Sequence, residues 1–315
     1  MPVKLFYASD VHGCEVCFRK FINAAKAYGA DLLVLGGDIT GKVLVPIVKV
    51  GELYRAEAYG KLWEAKGDRE LDKLLSSIRG NGFYTVVLSE EEYMKVRDSP
   101  KLVDELFNKV MVETVQEWVK LAEERLKGTG VKVYMMPGND DRWVIDEVLE
   151  DSEVVVNPHE RVIEVKGGLK LVSLGFSNPT PWQTPRELPE DELQKKLSKL
   201  LDQAADPDAT ILNVHAPPYW TILDLAPSLD EGLRVVRKSG QVEMVHVGSV
   251  AVRNAIEQYQ PLVSLHGHIH ESKGVARIGR TMCFNPGSDY SSGALRGILL
   301  SLERGRVKGY MFTYG

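Results

Sequence analysis

The 315-residue chain reads as a mixed α/β (α+β) protein built on parallel strands, and three observations carry that reading. Leu32, Leu33, Val34 and Leu35 stand in a row before Gly36-Gly37, which suits a short strand buried on both faces of a parallel sheet. Val3–Ser9 upstream, with Phe18, Phe21, Ile22 and Ala25 at helical spacing between the two strands, completes a βαβ unit within the first 40 residues. The last 45 residues instead carry short, closely spaced apolar runs, near 275–278, 282–284, 298–302 and 307–312, which predict an antiparallel meander.

Each element has a local reason. The first helix spans Glu15–Ala27 and stops at Gly29. Residues 42–127 are far longer than a connection needs to be and are expected to form a mainly helical insertion within one domain spanning 1–315, serving as a cap over the site or as a pairing surface for a second copy. Val43–Lys49 and Tyr54–Tyr59 pair there as a hairpin around Gly51, and Leu71, Leu74, Leu75 and Ile78 mark a helix ending at Gly80. Ser89 with Glu92 is a capping box, and Ser99-Pro100 opens the longest helix, to about Lys127. Val131–Met135 and Val154–Val156 are further strands, and Val162–Val165 and Leu169–Leu174 form a hairpin through Gly167-Gly168. The loop 177–186, with Pro179, Pro181 and Pro185 around Trp182, is too proline-rich to be regular, and Glu190–Ala205 is an amphipathic helix with a solvated charged face. Strand Thr210–Val214, a helix capped by Ser249, and strand Leu262–Leu265 complete the pattern.

Composition bounds the function. With 44% hydrophobic and 26% charged residues the chain is ordinary for a globular protein, and it has no apolar run long enough to cross a membrane. The N-terminus enters a strand pattern at once, without the basic and apolar regions of a secretion signal, and three cysteines are too few for a disulfide framework; a cytoplasmic location is expected. A net charge of −5 excludes an extended nucleic-acid-coating surface while allowing a local basic cleft. Cys14-x-x-Cys17 admits a redox or zinc reading, but it lies at a helix start with no second pair.

The chemistry gathers at the strand ends. Five of them present Asp10 and His12, then Asp38, Asn139, His215, and finally His268 and His270. One histidine at such a place is usually structural; four of the seven, with two aspartates and an asparagine, are not readily assigned to packing. The donors are nitrogen and oxygen with no thiolate, which suits manganese, iron or zinc, and seven donors are too many for one catalytic ion that keeps a position open. Two ions sharing a bridging carboxylate use them naturally.

This order, Asp-x-His, Gly-Asp, Gly-Asn-x-Asp, His and Gly-His-x-His across residues 10–270, resembles the calcineurin-like metallophosphoesterases. The closer texture, with GDITGK, PGNDD, HAPPY and HGHIHES, is similar to the Icc-type predicted phosphoesterases. The resemblance implies a two-sheet β-sandwich flanked by helices. It also implies that Asp10, His12 and His270 hold one divalent ion, that Asn139, His215 and His268 hold a second, and that Asp38 bridges them. Manganese is the expected metal, with iron or zinc as alternatives. The implied activity is phosphodiester hydrolysis by a metal-bridging hydroxide; a phosphomonoesterase, a nuclease and a non-catalytic metal-binding scaffold are the alternatives. The substrate is expected to be a small phosphate ester or nucleotide, with no membrane partner and with homo-oligomerisation left open. Where many members read Gly-Asn-His-Asp, this chain has Gly138-Asn139-Asp140-Asp141, so the usual histidine beside the phosphate is replaced. Asp140, Asp141 and Arg142 are the candidate catalytic residues. Arg142 is expected either to meet a phosphate or to pair with an acid, His266 and His246 either to support the ligand loops or to be structural, and His159 to lie on the surface.

Overall fold

The computed structural model describes residues 2–315, and its core has three layers, one between two six-stranded sheets and one on the outer face of each beneath helices. The chain opens with β1 (Val3–Ala8), α1 (Glu15–Tyr28) and β2 (Leu32–Leu35). It then makes an excursion through β3 (Leu44–Val50), β4 (Leu53–Ala58), β5 (Lys61–Lys66), α2 (Gly67–Arg79), β6 (Tyr84–Ser89), α3 (Glu90–Arg97) and α4 (Pro100–Leu126). The main body resumes with β7 (Lys132–Met135), α5 (Asp146–Glu150), β8 (Val155–Val156), β9 (Arg161–Val165), β10 (Leu169–Leu174), α6 (Glu190–Ala204) and β11 (Thr210–Val214). Four short strands follow, β12 (Leu225–Pro227), β13 (Arg237–Lys238), β14 (Gln241–Val242) and β15 (Met244–His246). The chain ends with α7 (Val250–Tyr259), β16 (Val263–Leu265), β17 (Gly274–Ile278), β18 (Thr281–Asn285), β19 (Arg296–Glu303) and β20 (Arg306–Tyr314).

One sheet runs β20-β19-β1-β2-β7-β8 and the other β17-β18-β16-β11-β10-β9. Strands β1, β2 and β7 are parallel neighbours, as are β10, β11, β16 and β18. Alternation explains the layering. In β1, Leu5 and Tyr7 face the interior between the sheets, while Phe6 and Ala8 face the helices outside. The second sheet is covered outside by α6 and α7. Both faces of the central strands are therefore dry, which is why they read as continuous apolar runs.

One expectation is corrected. The tail is not one meander: β17 and β18 join the second sheet, whereas β19 and β20 form the antiparallel edge of the first. The insertion is mainly helical, through α2, α3 and α4, and it also holds a four-stranded sheet, β5-β4-β3-β6, with its own small core. Strands β5 and β6 went unseen because KLWEAK carries little apolar periodicity and YTVVLS sits pressed between a helix and a capping box. Residues 42–127 also divide in use. Helix α4 places Val115, Trp118 and Val119 in the core beneath the first sheet, with Trp118 stacked on Phe18 at 4.2 Å, so it belongs to the main body. The caps at Ser89 and Ser99 form as read, and Gly29 ends α1 in the left-handed conformation. Among the described residues no helix is long and apolar enough to cross a membrane.

Candidate metal centre

The parallel strands end at one rim, and their end loops are laced together by backbone hydrogen bonds. Asp10 N donates to Gly37 O, His12 N to Asp38 O, and Gly267 N to His215 O, each at 3.0 Å. Glycine makes this approach feasible. A Cβ on Gly37, which has φ of 120°, would lie 2.3 Å from His215 Nδ1, and one on Gly138 would lie 2.3 Å from Asp38 Oδ1. The crowding is stored partly as backbone strain. Asp10, His12, Asp38 and His268 all adopt left-handed φ, between 41° and 67°. Non-glycine residues avoid that region, at a cost of about 1–3 kcal/mol each, unless their surroundings over-determine them.

All seven residues singled out at the strand ends come together. His12 Nε2 and His270 Nε2 are 3.1 Å apart, and His270 Nε2 lies 3.4 Å from Asp10 Oδ1. His268 Nδ1 is 2.7 Å from Asn139 Oδ1, whose amide is oriented by donating to Thr184 Oγ1. Asp38 stands between the two groups, with Oδ2 3.6 Å from His12 Nε2 and Oδ1 3.3 Å from His215 Nε2. Donor atoms of Asp10, His12 and His270 form one set of metal-binding size, and those of Asp38, His215 and His268 form another.

The electrostatics fit a divalent cation. Burial holds His12 down at about 3, and burial with nearby His215 holds His268 down at about 4, so both are neutral donors at pH 7. Burial opposes charge on Asp10 and Asp38, yet the histidines around them keep both carboxyls below the ordinary range. His215 shows the demand most clearly. Its Nδ1 contacts Gly36 O at 2.9 Å, which directs the lone pair of Nε2 at Asp38 and Asp10, and this buried nitrogen has no hydrogen-bond partner. Although burial disfavours the charged ring, the two carboxylates push it up to about 10. The pocket asks for positive charge, and a divalent ion would meet that demand with the histidines left neutral.

Around this centre each remaining candidate has a definite place. Asp141 is fully buried, and its carboxylate accepts from Ile39 N, Thr40 N, Thr40 Oγ1 and Gly138 N, tying the ends of β2 and β7 together. It is thus a positioning residue. Arg142 turns away from the centre to Asp104 and Asn108 of α4 and lies over Phe107, so its acid-pairing reading describes it. Asp140 forms an ion pair with Lys42; burial and Asp38 push its carboxyl up to about 6 against the pull of that lysine, which leaves it ionised at pH 7. His266 is buried and braces the carbonyls of Val214 and Ala216 on either side of His215. His246 is bound to Asp224. His159 is not a surface residue: its Nδ1 accepts from Gly175 N, its ring meets that of Phe176 edge-on, and burial lowers it to about 4. Cys14 caps α1 and donates to Gly80 O, a structural use. Asn285 donates to Gly267 O and Ile269 O and so holds the histidine loop.

Sequence reasoning missed three groups. Lys42 looked like the first residue of an insertion. Tyr290, whose ring lies 4.7 Å from that of His12, opens a short helical turn, Tyr290–Ser292, that no apolar pattern marks. Arg186, fully buried, bonds the carbonyls of Asp141 and Arg142 and pairs with Asp146, pinning the turn that follows Asn139. Only Lys42 carried a local signal, two residues beyond the Gly-Asp-Ile-Thr run.

No family model matches the chain. It is 30% identical to the uncharacterized protein MJ1162 of Methanocaldococcus jannaschii over 178 residues, which are 56% of this chain and 70% of that protein. The chain belongs to the MJ1162 family. Its fold is also that of TT1561 of Thermus thermophilus, with TM-score 0.56 and 16% identity over 100% of this chain and 99% of that one. A second solved structure matches at TM-score 0.59 and 18% identity with the same coverage. This member of the MJ1162 family shares its fold with both of these solved structures.

Proposed function

We propose that the chain is a two-metal phosphoesterase that favours phosphodiesters. The observation that carries the reading is Asp38, whose two carboxylate oxygens face His12 and His215 separately. Asp10, His12 and His270 would hold one divalent ion and Asn139, His215 and His268 the other, with Asp38 serving both. Such ions, when bound, supply Lewis acidity towards phosphoryl oxygens and a nucleophile at neutral pH.

The protein's own groups set the rest. Lys42 borders the cleft beside Asp38, and burial, which disfavours its charge, is outweighed by Asp140 and Asp38, so it stays cationic. It is positioned to meet a phosphoryl oxygen, taking the place left by the absent histidine, and Asp140 holds it there. One lysine against Asp140 and Glu271 suits the single charge of a diester better than the two charges of a monoester. With Lys42 as the only residue of the stretch 42–127 on the cleft wall, the insertion serves the site through that residue rather than as a lid. We place the protein in the cytoplasm, in keeping with three free, buried cysteines.

The test is hydrolysis of bis(4-nitrophenyl) phosphate and 4-nitrophenyl phosphate with manganese, iron, zinc and magnesium in turn. Faster turnover of the diester with at least one metal is expected. Monoester turnover at an equal or higher rate would overturn the diester preference, and no turnover with any metal would overturn the enzyme reading.

A further inference from the structure

The metal centre occupies one end of a cleft of about 880 Å³, within the range of small-molecule sites. Away from the centre its walls are the proline-rich loop 178–184 and the ribbon of β12 and β15. Those walls are largely apolar, with Pro179, Pro181 and Trp182 on one side and Leu229, Val245 and Val247 on the other. Trp182 keeps 61% of its surface exposed, and no regular element holds it against the fold. A large aromatic ring left in water at the mouth of a cleft is a contact surface in waiting. Among the described residues lining the cleft, Lys42 is the only lysine or arginine, and it lies at the metal end. A nucleic-acid strand or a polyphosphate would meet no cation along these walls. Thr180, Ser228 and His246 add polar groups to these walls, and among the lining side chains Asn178 has a buried oxygen without a partner, its amide donating to Val247 O.

We infer that this annex binds the organic part of the substrate, and that the substrate is a phosphate ester carrying one bulky, uncharged, largely apolar group. The inference rests on the phosphoesterase reading for the position of the phosphate, and on the cleft walls for everything else. The apolar group lies between Trp182 and the β12–β15 ribbon, and Asn178 accepts a hydrogen bond from a hydroxyl or amide on it. Specificity then resides in the loop 178–184 and the ribbon, not in the metal ligands.

Alkylphosphonates, which cannot be hydrolysed, separate the two readings. Calorimetry on the manganese-loaded protein would compare methylphosphonate, hexylphosphonate and adenosine monophosphate. A buried methylene is worth roughly fourfold in affinity, so even a half-buried chain gives hexylphosphonate an advantage of about tenfold or more. Trp182→Ala and Leu229→Asn should each compress that ratio towards one. Equal affinities for the two phosphonates, no binding of either, or tighter binding of the nucleotide would overturn the inference. Hydrolysis of bis(4-nitrophenyl) phosphate is scored separately. If it survives while the phosphonates bind alike, only the annex is refuted; if hexylphosphonate binds preferentially but no ester is hydrolysed, the annex stands and the enzyme reading falls.

Discussion

Lys42 and Asp140 show how one exchanged residue redistributes a site's charge. A histidine at position 140 could carry a positive charge near neutral pH; an aspartate there requires a separate cation, and the chain supplies it from the first residue beyond the β2 loop. Lys42→Ala should lower kcat/KM for an activated diester about 10–100-fold, the worth of one charge-assisted hydrogen bond, and Lys42→Arg should restore part of it. Unchanged kinetics would remove Lys42 from the account. Asp140→His should narrow the preference for diester over monoester several-fold in paired assays; an unchanged preference would confine Asp140 to structure. It is not a helix cap in any case, since the short helical turn at Trp143–Ile145 has no side-chain cap. A second titration belongs to His159. Unfolded, it takes a proton near its ordinary 6.5, whereas in the fold burial holds it to about 4. Between these values the unfolded chain binds the extra proton, so stability falls as pH drops from about 6.5 towards 4, by roughly 2–3 kcal/mol from this residue. His159→Asn, whose side-chain oxygen can replace Nδ1 in accepting from Gly175 N, should flatten that part of the denaturation profile in the metal-free protein. An identical slope in both proteins would contradict the assignment. The sequence marked His12, His215, His268 and His270 by their place after apolar strands, but nothing local separates a buried His159 from an exposed one. Its burial comes from Phe176, a partner the fold supplies.

At the scale of elements, the legible pieces were those written in short-range chemistry. Capping serines at 89 and 99, Gly29, the Gly167-Gly168 hairpin and the βαβ opening all follow from neighbours a few residues apart. What was not legible depends on distant partners. Strand β6 is a strand because β3 pairs with it in parallel, and the four tail strands split between two sheets because β1 and β16 each offer a free edge. Helix α4 makes the same point in energy. Its chain position assigns it to the insertion, yet Trp118 is 3% exposed and stacked on Phe18. Trp118→Ala should therefore destabilise the whole protein by about 3–5 kcal/mol in chemical denaturation, as large-to-small core changes do. A loss below about 1 kcal/mol would return α4 to a peripheral role.

Over the whole molecule, two parallel half-sheets bring their strand ends to one rim, and residues from Asp10 to His270 meet there although most of the chain lies between them. The strained backbone at Asp10, His12, Asp38 and His268 is sustained by that convergence, and it is in keeping with donors pressed together around charge that the fold itself does not carry. The five-block order made the centre readable in advance, because each block is a strand followed by its donors. The cleft was not readable, because its walls come from a proline-rich loop and a ribbon whose apolar residues show no period. The central claim is that two ions act together under Asp38. The most direct measurement is titration of the metal-free protein with manganese, following bound ions per chain and bis(4-nitrophenyl) phosphate hydrolysis in the same samples, for the native chain and for Asp38→Asn. The native protein should reach full rate only as the second equivalent binds, while Asp38→Asn should hold one ion or none and lose turnover. Full rate at a single ion, or an Asp38→Asn protein with two ions and a near-native rate, would contradict it.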